Sequence, residues 1–65
     1  MKYSEMNAIE AGIKFTTTSG LIVETTGSSL EIETNGIFTH EVKIIEGNNA
    51  GNTFLHNLDM AEKME

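Results

Sequence analysis

Residues 34–44 read TNGIFTHEVKI, and the way they pair decides the fold. Asn35-Gly36 is a turn signal between two runs rich in β-branched and aromatic residues, so the stretch reads as strand end, tight turn and new strand. A two-residue loop would pair Glu33 with Phe38 and mix charge into an apolar face. A three-residue loop, Thr34-Asn35-Gly36, with Gly36 left-handed in a bulge, pairs Ile32 with Phe38 and Leu30 with His40. That register keeps the apolar residues together and is the one expected.

Working outward, the same grammar recurs. Thr18-Ser19-Gly20 as a three-residue loop pairs Phe15 with Val23 and Ile13 with Thr25. Gly27-Ser28, as a type II′ turn, pairs Thr25 with Leu30 and Val23 with Ile32. The stretch GNNAGN at 47–52 reads as a last hairpin loop that pairs Ile44 with Phe54. Together these choices put Ile13, Phe15, Leu21, Val23, Leu30, Ile32, Phe38, Val42 and Ile44 on one face. Lys14, Thr16, Glu24, Thr26, Glu31, Glu33, Thr39, Glu41 and Lys43 fall on the other. Ser4 is placed to cap a short helix carrying Met6 and Ile9 and ending at Gly12, and Asn57 to cap a last helical turn carrying Met60 and Met64.

The expected organisation is one small domain, 1–65, with an N-terminal helical segment (1–12), a meander (13–56) and a C-terminal helical turn (57–65). Its class is mainly β, a five-stranded antiparallel meander. Over about residues 12–60 this pattern of short strands and tight turns resembles the small SH3-like β-barrels, which implies a closed barrel; an open meander with a helix packed on it is the rival. SH3-like families that bind proline-rich or methylated ligands use clustered Tyr and Trp. Here there is one Tyr, Tyr3, and no Trp, so no ligand-binding residue carries over.

A chain of 65 residues buries only about 60% of its unfolded surface, so its core is thin and association would help it. With no Cys and two His, disulfides and zinc-finger chemistry are out of reach. Ten acidic residues against four Lys and no Arg give a net charge of −6 and a pI near 4.7. Phosphate neutralisation needs clustered cations, so direct nucleic-acid binding is not expected, whereas a basic protein surface is a fitting partner. Such a charge also keeps a small domain dispersed without any partner. The longest apolar runs, Leu21-Ile22-Val23 and Ile44-Ile45, are too short to span a membrane, and no signal peptide precedes the folded part, so a soluble cytoplasmic protein is expected.

Candidate sites are few. With Ile44 against Phe54, Val42 faces His56, and His40 lies diagonal to it at about 7–8 Å, where two imidazoles could share a ligand. No third metal ligand is evident, so neither a metal nor a cofactor is expected. The candidate ligand contacts are His40, His56, Asn48 and Asn49. On the polar face the expected registers put Glu24 directly opposite Glu31, a like-charge pair that suggests a cationic partner. Glu33 and Glu41 extend this patch, and Ile22 and Ile37 lend it apolar area. GNNAGNT lacks the Lys and the strand-to-helix setting of a phosphate loop, and no Ser, His and acid set assembles, so an enzyme is not expected.

These features point to a non-enzymatic module that binds a protein partner through Ile22, Glu24, Glu31, Glu33, Ile37 and Glu41. One alternative is a homo-oligomer holding a small ligand in pockets between subunits. Another is an inhibitor of the kind small phage-encoded proteins provide, imitating the phosphate backbone with its carboxylates. Because a domain this small gains much from association, a homo-oligomer or a partner docked on the isoleucine-bearing face is expected.

Overall fold

Gly27 sets the course of the middle of the chain. Its φ of +96° is a backbone conformation that glycine adopts without strain, and either a tight turn or a bulge can use it. In the computed structural model, which describes residues 2–64, it serves a bulge. The segments expected to form a hairpin around Gly27-Ser28 instead make one long bent strand, β2 (Ile22–Ile32). The others are β1 (Lys14–Thr16), β3 (Ile37–Ile44), β4 (Thr53–His56) and β5 (Glu62–Lys63). All five form one antiparallel sheet in the order β4-β3-β2-β1-β5, which is open because β4 and β5 do not pair. The mainly β, five-stranded antiparallel class is therefore as expected, although the strands are not all the ones anticipated. Met1 and Glu65, the ends of the expected domain, lie outside the described residues.

The first hairpin has the expected register, with Phe15 opposite Val23 and Thr25 N donating to Ile13 O. Thr17 closes its loop, accepting from Leu21 N on Oγ1 at 3.1 Å. The middle pairing is corrected: Val23 lies opposite Ile44 and Thr25 opposite Val42, with the bulge between Thr25 and Ser29. Two consequences favour this arrangement. Glu24 lies between Lys14 and Lys43 rather than against Glu31, so a repulsive cross-strand pair becomes a row of alternating charge. In addition, Ser29, not Leu30, meets His40 and can bond with its ring.

The hairpin at Asn35-Gly36 is one residue longer than expected. Ile32 pairs with Ile37 across residues 33–36, because Gly36 N donates to Ile32 O at 2.7 Å and the Asn35 side chain accepts from Ile37 N. Glu31 thus faces Phe38, and Leu30 faces Thr39. The last hairpin is shifted by two residues. Ile44 is bonded to Gly51 and Asn52, so Val42 meets Phe54 and His40 lies directly opposite His56. An even shift leaves the inner face unchanged.

The short helical turns expected at the two ends are present as single 3-10 turns, and only the longer N-terminal helix carrying Met6 and Ile9 does not form. Residues Tyr3–Glu5 make a single 3-10 turn without a side-chain cap. At the other end Asn57 does cap a turn, Leu58–Met60, accepting from Asp59 N, but the chain then extends into β5 alongside β1. The two 3-10 turns lie over the inner face of the sheet. The core accordingly consists of Ile9, Phe15, Val23, Val42, Ile44 and Leu58, with Tyr3, Ile13, Leu21, Phe54 and Ala61 around it. Tyr3 packs edge-to-face on Phe15 at 5.2 Å between ring centroids. Leu30, Ile32 and Phe38, expected in the core, are outside it.

The charge row gives a direct check. Glu24→Lys should lower stability by a few tenths of a kcal/mol in urea unfolding at low salt, whereas Glu31→Lys should change it little. A larger loss from Glu31→Lys would contradict the register.

Candidate functional site

His40 is fully buried on the sheet's inner face, at the end of the β3–β4 pairing. Its Nε2 lies 3.0 Å from Tyr3 O and its Nδ1 2.6 Å from Ser29 Oγ. A carbonyl can only accept, so Nε2 carries the hydrogen, and in the neutral ring Nδ1 accepts from the serine hydroxyl. Both nitrogens are thereby occupied with structural partners. His56, directly opposite, meets Phe54 edge-on at 5.8 Å between ring centroids. Its Nε2 is buried without a hydrogen-bond partner among the described residues. No cluster of three or more His, Cys, Asp or Glu side chains occurs among the described residues.

Asp59 completes the fastening of the N-terminal turn. Its carboxylate accepts from Tyr3 N at 2.6 Å, from the Ser4 hydroxyl at 2.5 Å and, more distantly, from Ser4 N. The Ser4 hydroxyl is the main cause holding the Asp59 carboxyl below its ordinary 3.8. The backbone N–H groups of Tyr3 and Ser4 and the charge of Lys2 add to this, against the opposing effect of desolvation.

The expected ligand set is not brought together. Asn48 and Asn49 are exposed in the loop beyond Ile44, about 13 Å along the strand from His40 at 3.3 Å per residue. The expected partner-binding set is divided as well. Ile22 is half-buried and lies beside Ile45, whose N–H donates to Ile22 O. Ile37 is about 26 Å away along an extended chain, at the opposite end of the sheet. Glu24 sits among lysines, Glu31 is on the face shared with Ser29 and His40, and Glu33 is exposed in the hairpin loop. Glu41 is half-buried on the outer face and accepts from Thr26 Oγ1 at 2.6 Å.

A different surface emerges. Pairing with β1 ends near Thr25, and pairing with β4 ends at His40. Past those points β2 and β3 continue as a two-stranded ribbon with open edges. One face of the ribbon carries Leu30, Ile32, Ile37 and Thr39, and Leu30 is 53% exposed. Leu30 and Ile32 were missed as surface residues because the expected turn at Gly27 put them in the core. The available signal was chemical: Leu30 cannot bond with an imidazole, whereas its neighbour Ser29 can.

Neither a family model, nor a curated protein, nor a solved structure matches the chain. Among the described residues no helix is long and apolar enough to cross a membrane.

Because the folded Asp59 carboxyl is depressed, its stabilising contribution is fully present above the unfolded value of about 3.8 and is lost as pH falls through the lower folded value. Melting curves of the native chain and Asp59→Asn should therefore be separated at neutral pH and converge in strong acid. A constant separation at all pH values would remove Asp59 from the fastening.

Proposed function

We propose that the chain is a non-enzymatic interaction module, a small SH3-like β domain of the cytoplasm, that binds a basic protein partner on the outer face of its β2–β3 ribbon. The observation that carries this reading is Leu30, 53% exposed beside Ile32 and Ile37 in a chain whose buried apolar core, among the described residues, is six side chains. A two-stranded ribbon is marginal in water on its own, so a partner laid across it supplies apolar contact that the sheet lacks. Glu33 at the tip and Glu41 along the flank give the strip an acidic rim, which favours encounter with a cationic surface. Ile22 and Glu24 drop out of the binding set, being at the far end of the sheet.

Leu30→Glu tests this because it changes an exposed side chain and spares the core. Its melting temperature should stay within a few degrees of the native value. Capture of a basic partner from lysate of the source cells should fall by at least about tenfold. Equal capture by the two proteins would remove the ribbon face from the account.

A further inference from the structure

The two edges of the sheet differ. β5 is two residues long, and both Glu62 and Lys63 are charged, which is how natural sheets discourage edge pairing. β4, Thr53-Phe54-Leu55-His56, has none of the usual protections. The chain contains no Pro, and the whole stretch 47–58 around β4 carries no Asp, Glu, Lys or Arg. Among the described residues, β4 pairs with no strand but β3.

Alternation along the strand tells which groups face outward. Ile44 N donates to Asn52 O at 2.9 Å, so the pairs Val42 with Phe54 and His40 with His56 point their backbone groups at one another. Thr53 and Leu55 then turn their N–H and C=O away from β3, toward open solvent. Leu55 also leaves 45% of its surface exposed on the outer face.

We infer that the β4 edge pairs with the β4 edge of a second copy of this chain, antiparallel about a two-fold axis, to make one continuous sheet across a dimer. The occupant is a second copy for an electrostatic reason and a geometric one. Two chains of net charge −6 repel over most of their surface, and β4 lies in the longest stretch of sequence that contributes nothing to that repulsion. A two-fold pairing is also self-complementary. With Phe54 opposite its own symmetry mate, Thr53 bonds with Leu55 of the second copy and Leu55 with Thr53, so every outward group on these residues is satisfied. The two Phe54 rings then adjoin at a closely spaced non-bonded pair, about 4.5 Å between Cα atoms. On the outer face each Leu55 is covered by a Thr53 methyl.

A ladder of this length does not reach the roughly 1,200 Å² of total buried surface typical of stable complexes, so the dimer is weak and depends on concentration. The inference goes beyond the proposed function, since neither Thr53 nor Leu55 belongs to the ribbon face that binds the partner.

Sedimentation equilibrium from about 10 μM to about 1 mM should show the 7.1 kDa chain giving way to twice that mass. Thr53→Lys and Leu55→Lys, both at exposed positions, should each remain monomeric across that range. Because the chain has no Cys, register can be read by oxidising an equimolar mixture of Thr53→Cys and Leu55→Cys. The bonded pair is spaced at about 5.5 Å, within disulfide reach, so the mixed disulfide should exceed both symmetric ones. A native chain that stays monomeric at the highest concentration overturns the inference. So does a dimer indifferent to both lysine variants, or one whose symmetric disulfides dominate. Partner capture by Thr53→Lys should be retained, so loss of the dimer and loss of ribbon binding are read separately.

Discussion

The structure depends on the burial of one imidazole. A polar ring with no access to water must find partners for both nitrogens or cost the fold on the order of 1–3 kcal/mol for each one left bare. His40 finds them on opposite sides: the Ser29 hydroxyl in the neighbouring strand and the Tyr3 carbonyl in the N-terminal turn. The first bond fixes the register of β2 on β3 past the bulge. The second holds the first turn over the inner face, where Tyr3 meets Phe15 and Asp59 receives the Tyr3 and Ser4 donors. Three distant parts of the chain are thus organised around a single side chain.

What is left uncovered follows from that economy. Among the described residues, the terminal segments cover the part of the sheet around Phe15, Val23 and Val42, where six apolar residues form the buried core. The β2–β3 ribbon runs on past this cover with apolar side chains on its outer face, and β4 closes the sheet with an uncharged edge. These are different surfaces with different chemistry. A face offers side chains and rewards apolar area with a charged rim, whereas an edge offers backbone groups and rewards another strand. A domain too small to cover both can engage a partner with one and its own kind with the other.

The sequence was legible where turn chemistry admitted one reading. Thr18-Ser19-Gly20 is such a place, and the first hairpin has its expected register. Gly27 was ambiguous because a positive φ suits a type II′ turn and a bulge equally, and only the need of His40 for a hydroxyl separates the two. At Asn35-Gly36 the Asn35 side chain supports a loop one residue longer, which moved Phe38 from Ile32 to Glu31. In the last hairpin a shift of two residues preserved the faces, so the approach of His56 to His40 was anticipated while its distance was not. β5 left no trace in the pattern, since two charged residues have no periodicity to read. The candidate binding residues fared as their strands did: Ile37 and Glu41 remain with the apolar strip, and Ile22 lies at the far end.

The role of His40 is most directly tested by a long-range proton–nitrogen NMR correlation of its ring at mildly alkaline pH, where the neutral tautomers have distinct patterns. The account predicts a single Nε2–H form whose Nδ1 resonance shifts in Ser29→Ala, because that nitrogen loses its donor. A ring that carries its hydrogen on Nδ1, or that averages between tautomers as a solvent-exposed imidazole does, would contradict it.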